Sequence, residues 1–328
     1  MMAQPAETEP RIDVILGRCD DMRAEVYVRA SGLPATAEPA VISGTLTGPE
    51  SRLAITLTTA ARLADLGPGP AVRLVGGGSS GAQPSGDASG RPALARCILT
   101  EPGYWTPELP HRYRLTAEVR ADGRLITSCD RLVGLRRLGV RGRSLWLEGR
   151  RWVPRGVACV AGEVEPAVFR EVLAAAVLDE PAAAICAAAD EAGVAIIARC
   201  GGDPLADCLR WAPHPSLMLA VVPRGIAAAD VAALLAAIKP YRGTLLVGLE
   251  MAGSAPPAEL PEGIDCVVMS LAAGALPHEA WRKPPAVPVL ASRSAVGSVQ
   301  DRRAACDRLQ ADLAAWRGPA PWDWAGYL

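Results

Sequence analysis

The chain has 328 residues, of which 50% are hydrophobic, so it is long enough to form two domains with buried cores. Its 34 basic and 35 acidic residues give a formal net charge of −1. Proteins that bind nucleic acids or anionic membranes typically have a basic composition, so this balance argues against both functions. The first residues lack the pattern of a signal peptide and no apolar run reaches the roughly 20 residues of a membrane span, so we expect a cytoplasmic protein.

Residues 1–140 carry apolar side chains at alternate positions, as in RAEVYVRA, RYRLTAEVR and RLITSCDRLVGL. Short half-buried strands of this kind, separated by turn residues such as those of ADGR, predict an antiparallel β-sandwich. Within it, segment 76–92 is rich in Gly and Ser, which predicts a flexible loop. A phosphate-binding loop is the less favoured interpretation, because the segment lacks the Gly-Lys-Ser/Thr ending.

From about residue 141 the pattern changes to short apolar runs, such as GVAIIARC, LMLAVVP and GTLLVGLE, which alternate with Ala-rich helical segments. Repeated strand–helix units predict a parallel sheet, either closed as a barrel or open. The segment 141–328 is short for a (β/α)8 barrel, which typically has ~250 residues. A barrel here is therefore expected to be compact, with short loops or missing helices.

Nine cysteines and three histidines are scattered along the chain, and no two cysteines form a Cys-x-x-Cys pair. Structural metal sites need clustered ligands, so we expect neither a metal nor a cofactor. An odd number of unclustered cysteines on apolar stretches indicates reduced, buried thiols. This interpretation includes Cys200, although it follows Arg199.

Five segments occur in an informative order: PGYWTPELPHRYRLTAEV (102–119), VGLRRLGVRGRSLWLEGRRWVPRGV (133–157), ICAAADEAGVAII (185–197), HPSLMLAVV (214–222) and WDWAGYL (322–328). They resemble, in that order, motifs of glycoside hydrolase family 2, the β-galactosidase and β-glucuronidase family. Each segment alone has a structural explanation, such as a rigid corner around Trp105 or a helix that ends at Gly193. Those explanations do not account for the order.

The resemblance implies an immunoglobulin-like β-sandwich over 1–140, followed by a glycosidase-type (β/α)8 barrel, possibly incomplete, over 141–328. It also implies that this sequence lacks the sugar-binding jelly roll with which the family begins. Retaining glycosidases use two carboxyl groups about 5–5.5 Å apart, one as acid/base and one as nucleophile. In the family these groups close the fourth and seventh barrel strands.

Neither carboxylate has a counterpart in this sequence. When the resemblance is carried over residue by residue, the acid/base position falls on Gly225 and the nucleophile position on Arg293. The family's supporting Asn falls on Arg224 and its Trp on Ala220. Glycine has no proton to offer, and an arginine stays cationic and cannot attack an anomeric carbon. We therefore expect no catalytic residues and no hydrolysis.

Other residues of the predicted barrel are candidates for catalysis or for ligand binding. Glu163 and Glu250 follow barrel strands and are candidates for a relocated pair of catalytic carboxylates. Three arginines at strand ends, Arg199, Arg224 and Arg293, are candidates for binding a small anion, although a solvated, mutually neutralising rim is the commoner explanation of such residues. Trp211, Trp322 and Trp324 are candidates for binding a sugar, because sugar sites stack the sugar ring on tryptophan. Packing in the core is the commoner use of tryptophan.

The leading hypothesis is a catalytically inactive relative of the family that acts as a carbohydrate-binding or protein-interaction module. The alternatives are an active glycoside hydrolase that uses Glu163 and Glu250, and a structural subunit of an oligomer. We accordingly expect the partner to be a carbohydrate or a small anionic ligand, another protein, or a second copy of the chain. We expect binding to neither nucleic acid nor membrane.

Overall fold

The computed structural model describes residues 9–34, 36, 38–68, 92–318 and 322–328. The chain divides into two compact units. The first comprises residues 1–51, 55–103 and 111–135, and the second comprises residues 52–54, 104–110 and 136–328. All of the Gly/Ser segment 76–92 except its last residue lies outside the described residues.

The first unit is a β-sandwich of two four-stranded antiparallel sheets, ordered β1-β2-β6-β5 and β4-β3-β7-β8. Its strands are β1 (Arg11–Cys19), β2 (Arg23–Ser31), β3 (Val41–Glu50), β4 (Thr59–Arg62), β5 (Ala64–Pro68), β6 (Ala93–Thr100), β7 (Arg112–Ala121) and β8 (Arg124–Val133). In β2 every second residue is buried, with Val26 and Val28 at the centre. The alternation in the sequence therefore produces one buried face per sheet, and the prediction of a sandwich is confirmed.

The second unit begins with a small three-stranded antiparallel sheet. Its strands are β9 (Leu138–Arg141), β10 (Ser144–Leu147) and β11 (Arg150–Trp152), with β10 in the middle. Leu138, Leu145 and Leu147 are buried and belong to the same hydrophobic cluster as the interior residues of the barrel. One face of this sheet therefore packs against the barrel core. We call the segment 136–155, which contains the sheet, the basic hairpin.

Eight parallel strands follow in the order in which they occur along the chain, as in a (β/α)8 barrel. They are β12 (Gly156–Ala158), β13 (Ala175–Asp179), β14 (Ile196–Arg199), β15 (Leu217–Val222), β16 (Leu246–Ala252), β17 (Cys266–Leu271), β18 (Val289–Arg293) and β19 (Gly326–Tyr327). A parallel bridge between Arg155 and Tyr327 joins the last strand to the first. The prediction of a barrel is confirmed, and the open sheet is excluded.

The barrel is compact because two of its connections contain no α-helix. The helices are α1 (Pro166–Glu171), α2 (Ala183–Ala192), α3 (Pro204–Trp211), α4 (Ala228–Ala237) and α5 (Val299–Arg317). Residues 253–265, between β16 and β17, have no helix, and residues 272–288 have only a 3-10 turn at Glu279–Arg282. Prolines interrupt both connections, and proline inside a helix removes a hydrogen bond and clashes with the preceding turn.

The tryptophans of the barrel pack between its wall and α5. Trp316, Trp322 and Trp324 lie in one hydrophobic cluster with residues of β17, β18 and α5. The rings of Trp322 and Trp324 meet edge to face with their centres 4.8 Å apart. Among the residues that the structure describes, no helix is long and apolar enough to cross a membrane.

Candidate functional site at the barrel mouth

The alternation of side chains decides which strand-end residues reach the barrel mouth. Leu290 of β18 belongs to the interior cluster, whereas Val289 and Ala291 pack on the outside under α5. Successive side chains of a strand point to opposite faces. Ser292 therefore faces the interior of the barrel, and Arg293 faces outward.

Arg293, to which the resemblance assigns the family's nucleophile position, is held outside the barrel. Its Nη1 donates to Oδ2 of Asp312 on α5 at 2.6 Å, and its Nη2 donates to the carbonyl oxygen of Ala275 at 2.8 Å. The side chain is 14% exposed. It thus stabilises the packing of α5 and of the loop after β17, and it is not oriented to bind a ligand in the mouth.

Arg224 and Gly225 form an exposed turn after β15, and the resemblance assigns the family's acid/base position to Gly225. Gly225 has a φ of 88°, a left-handed conformation that glycine adopts readily and other residues rarely do. Within the described part of the chain, Arg224 has no hydrogen-bonding or ion-pair partner. Of the three arginines considered for anion binding, it is the one whose guanidinium is free for a ligand.

Arg199 at the end of β14 lies beside Asp179 at the end of β13. The two residues are in register, and Nη1 of Arg199 is 3.5 Å from Oδ1 of Asp179. Both follow the interior positions of their strands, Ile197 and Val177. Because the pair is well exposed, it contributes little to stability. Asp179 was missed in the sequence analysis, although it directly follows an apolar run as Glu250 does.

Glu250, Ser270 and Ser292 form a polar strip inside the mouth, on three adjacent strands. The Oγ of Ser270 donates to Oε1 of Glu250 at 2.5 Å, and Ser270 is directly opposite Ser292 in the sheet. Ser292 is 7% exposed, and among the described residues its hydroxyl has no hydrogen-bonding partner. Although the residue as a whole is largely buried, its hydroxyl oxygen is open to solvent and is therefore available to a bound ligand or to water.

Glu163, the other candidate carboxylate, is engaged elsewhere. Its Oε2 accepts hydrogen bonds from both terminal nitrogens of Arg302 on α5, at 3.1 and 3.2 Å. Arg302 also donates to the carbonyl oxygen of Ala158, at the end of β12. Glu163 therefore ties the loop after the first strand to α5, whereas Glu250 is paired with Ser270. The two carboxylates have different partners on different elements.

The three candidate tryptophans are part of the core, which leaves no ring face for a sugar. Trp211 is fully buried, and its Nε1 donates to the carbonyl oxygen of Pro181 at 3.0 Å. Trp322 donates to the carbonyl oxygen of Arg282, and Trp324 is 1% exposed. The structure assigns all three rings to packing, the commoner of the two uses weighed from the sequence.

Cys200 also lies near the mouth, directly after β14. A hydrogen bond with the thiol of Cys208, together with burial, raises the pKa of Cys200 well above its usual value. A thiol is nucleophilic only as the thiolate, so this residue is inert at neutral pH.

The motifs that carry the family resemblance meet at the opposite, amino-terminal end of the barrel. Asp190 of α2 hydrogen-bonds to Nδ1 of His214 at 2.7 Å and to the backbone nitrogen of Ser216 at 2.8 Å. The indole nitrogen of Trp105 donates to the backbone oxygen of Asp190 at 2.8 Å. The segments around Trp105, Asp190 and His214 therefore form one buried network.

Arg136 completes this network. Its guanidinium donates to the carbonyl oxygens of His214 and Thr244, both of which lie just before barrel strands. Burial lowers its pKa to about 9, and the negative charge of Asp190 opposes this shift, so the group is charged at neutral pH. In barrel enzymes this end serves stability and the carboxyl end serves chemistry.

The mouth carries side chains that can hydrogen-bond a polar ligand. The interior positions that end β15 and β18, the strands at whose ends the resemblance would place the family's two carboxylates, carry no carboxylate. Glu250, Ser270, Ser292 and the Asp179–Arg199 pair offer donors and acceptors for hydroxyl groups. Within the described ranges, no three His, Cys, Asp or Glu side chains are grouped as metal ligands.

A β-sandwich followed by an eight-stranded parallel barrel is an architecture found among glycosidases. Solved structures identify which glycosidases have it. The β-glucuronidase of Bifidobacterium dentium matches 97% of this chain and 60% of its own, with a TM-score of 0.62 and 12% identity. A β-glucuronidase of Bacteroides uniformis matches 96% of this chain and 45% of its own, with a TM-score of 0.58 and 13% identity.

A glycosyl hydrolase family 2 member from Bacteroides cellulosilyticus matches 86% of this chain and 40% of its own, with a TM-score of 0.57 and 14% identity. The chain thus has the fold of family 2 glycosidases, as the resemblance implied, and spans 60% or less of the length of these three proteins. No protein-family model matches the chain, and no curated protein matches it in sequence.

Proposed function

We propose that this protein is a non-hydrolytic relative of the family 2 glycosidases whose barrel mouth binds a carbohydrate. The observation that carries the proposal is the end of β18, where Ser292 faces inward and Arg293 turns outward onto Asp312. Neither residue can act as the nucleophile of a retaining glycosidase, because a carboxylate is needed to form the glycosyl–enzyme bond.

The polar strip supports the binding part of the proposal. Sugars present hydroxyl groups, and Glu250 with Ser270 offers a charged acceptor beside a hydroxyl. Ser292 adds a hydroxyl that has no partner among the described residues. Arg224 and Arg199 lie at neighbouring strand ends and would suit a sugar acid, the class to which the ligand of the B. dentium protein, coumarin-3-O-glucuronide, belongs.

An active enzyme with relocated carboxylates is the weaker candidate. It needs Glu163 and Glu250 to approach one sugar from either side, but Glu163 is tied to Arg302 on α5. Freeing it would leave the Arg302 side chain, which is only 15% exposed, without a carboxylate partner. Such a loss costs about 1–3 kcal/mol.

A protein partner at the same end is a second candidate, and a specific observation favours it. Val160, Leu276 and Val296, on the loops after β12, β17 and β18, are 67%, 51% and 91% exposed. These strands are neighbours around the barrel, with β19 between β18 and β12, so the three side chains lie on one side of the rim. Light scattering across a concentration series would detect self-association, which replacement of all three by serine should abolish.

Carbohydrate binding is tested by saturation-transfer NMR and calorimetry with methyl glucuronide, methyl galactoside and their disaccharides. The proposal expects saturable binding that Ser292→Ala weakens about 3- to 10-fold, the range for one hydrogen bond of ~0.5–1.5 kcal/mol. Ser128→Ala, an exposed substitution on β8, is the matched control and should change nothing. Absence of binding by every sugar would overturn the carbohydrate part of the proposal.

Hydrolysis is tested in parallel with para-nitrophenyl glycosides. The wild-type protein is expected to release no para-nitrophenol above the buffer rate. Turnover that Glu250→Gln abolishes and Ser128→Ala preserves would support the relocated pair instead. The two assays separate a failure of binding from a failure of the non-catalytic assignment.

A further inference from the structure

The basic hairpin carries a concentration of positive charge that the rest of the chain does not share. Its 20 residues contain seven arginines and one acidic residue, Glu148, whereas the chain as a whole has a net charge of −1. The remainder of the chain is thus net acidic. The charge is local, and its position at the amino-terminal end of the barrel separates it from the mouth.

Four of the arginines have structural roles. Arg136 is buried under the barrel, and Arg137 pairs with Glu148 at 2.6 Å. Arg151 pairs with Asp323 at 3.1 Å, and Arg155 with Asp307 at 3.4 Å. These contacts neutralise part of the charge and fix the sheet to the barrel.

The other three, Arg141, Arg143 and Arg150, have no carboxylate partner among the described residues. Arg143 donates only to the backbone oxygen of Pro284, at 3.2 Å. Arg141 and Arg150 are exposed. Arginines without an acidic neighbour leave a positive potential at the surface, which attracts anionic groups.

The three arginines lie at the two ends of the sheet. Arg141 and Arg143 flank the turn between β9 and β10, and Arg150 follows the turn between β10 and β11. The four residues of β10 separate these turns by roughly 10–13 Å, at ~3.3 Å per residue. In an extended peptide, side chains four residues apart on one face are separated by about 13 Å. Two carboxylates at this spacing on an extended peptide would therefore reach the arginines at both ends of the sheet.

Trp146 lies on the face that points away from the barrel core, and Arg141 shares this face. Arg150 pairs with Leu147 in register, so it leaves the sheet from the other face, at the exposed end next to the turn between β10 and β11. The guanidinium carbon of Arg141 is 4.5 Å from the centre of the Trp146 ring. Directly across from Trp146 on β9 is Gly139, and no atom lies within 4 Å of the place where a Cβ would stand. The face thus has a shallow open depression beside an aromatic ring that a guanidinium already covers.

We propose that the exposed turns and the edge strand β11 of the basic hairpin bind an acidic polypeptide segment, one with carboxylates spaced along an extended chain. Charge complementarity selects an anionic partner, and guanidinium groups bind carboxylates bidentately. The edge strand β11 makes no backbone hydrogen bond on its outer side within the described residues, and a polypeptide is the partner that can pair with it. A nucleic acid fits less well, because its bases need an open aromatic face and Arg141 covers that of Trp146.

The test measures binding of a fluorescein-labelled dodecamer of glutamate by fluorescence anisotropy, with a dodecamer of glutamine as the neutral probe. The glutamate probe is expected to bind, to weaken as salt is raised, and to lose affinity at least about 10-fold in the triple variant Arg141→Ala, Arg143→Ala, Arg150→Ala. Three exposed charge pairs of up to ~1 kcal/mol each account for a loss of that size.

A matched triple variant controls for net charge. Arg62→Ala, Arg124→Ala and Arg308→Ala remove the same charge from exposed arginines elsewhere and are expected to leave affinity within about 2-fold. The proposal is overturned if the control variant loses as much affinity as the hairpin variant, or if the glutamine probe binds equally well. It is also overturned if no binding occurs, or if heparin or a single-stranded oligonucleotide binds through these arginines more tightly than the glutamate probe.

Discussion

Asp190 and His214 are joined by a 2.7 Å hydrogen bond that connects the end of α2 to the turn before β15. The same carboxylate accepts from the backbone nitrogen of Ser216, so it orients the residues that enter the fourth barrel strand. This bond lies at the stabilising end of the barrel, opposite the mouth. The segments around Asp190 and His214 that resemble family 2 glycosidases thus help to build the fold.

Replacement of Asp190 by alanine is expected to destabilise the barrel by about 3 kcal/mol, because it leaves the buried nitrogens of His214 and Ser216 without an acceptor. It also removes the negative charge that favours the ionised form of the buried Arg136 guanidinium. Urea unfolding monitored by tryptophan fluorescence measures the effect. Asp130→Ala, which breaks an exposed ion pair with Arg114, should cost less than ~1 kcal/mol. Equal losses in the free energy of unfolding for the two variants would show that the buried network contributes no extra stability.

The fold was largely predictable from the sequence because its signal is distributed over many residues. Alternation in strands such as β2 fixes a buried face, and uninterrupted apolar runs such as β15 indicate strands that are buried on both sides. The shortness of the barrel also had a visible cause, since prolines exclude helices from residues 253–265 and 272–288. Errors at single positions do not disturb such a pattern.

The site was less predictable because it depends on single positions and on partners distant in the chain. A shift of one residue exchanges the two faces of a strand, and this is the difference between Arg293, which points outward, and Ser292, which points inward. The ion pair between Arg293 and Asp312 depends on how α5 packs, which no local pattern reveals. Nor does composition separate a tryptophan in the core, such as Trp211, from one that binds a ligand.

Acid is expected to destabilise the sandwich through His111. Burial lowers the pKa of this side chain below its usual value of about 6.5, and neither ring nitrogen has a partner among the described residues. The unfolded chain then binds a proton at a higher pH than the folded chain does. The stability present above about pH 6.5 is therefore lost as the pH falls below that value.

The measurement is the free energy of unfolding between pH 8 and pH 5, for the wild type and for His111→Phe. Phenylalanine keeps an aromatic ring and removes the proton, and it loses no hydrogen bond because the histidine makes none within the described structure. The variant should be less sensitive to acid. An NMR titration that finds His111 protonating at or above pH 6.5 in the folded protein would contradict this explanation.

Most cysteines should be unreactive in the native protein. Cys97, Cys186, Cys200, Cys208, Cys266 and Cys306 are buried, and all nine cysteines are free. Burial raises the pKa of Cys97 to about 11 and that of Cys186 to about 12, so their thiolate fraction at pH 8 is negligible. Titration with Ellman's reagent should therefore modify at most three thiols quickly, and all nine after denaturation. Rapid modification of Cys200, located by mass spectrometry, would show that the loop after β14 opens.

Restoring the two family carboxylates by Gly225→Glu and Arg293→Glu is expected to yield no glycosidase. At Gly225 the φ of 88° makes any side chain strained, at a cost of about 1–3 kcal/mol. At position 293 the new carboxylate would point outward toward Asp312, replacing an ion pair by two like charges. The variant should melt at a lower temperature than the wild type and release no para-nitrophenol from aryl galactosides or glucuronides.

Ser292→Glu, combined with Gly225→Glu, is the sharper comparison, because position 292 faces into the mouth. Even there the carboxylates are expected to lack the surroundings that separate their pKa values and hold the sugar hydroxyl groups, since the resemblance places Ala220 and Arg224 where the family has a supporting Trp and Asn. A displacement of about 1 Å alone can reduce the rate ~100-fold. Clear hydrolysis by either double variant would mean that the mouth still positions a glycoside for attack, and that catalysis was lost through the two carboxylates alone.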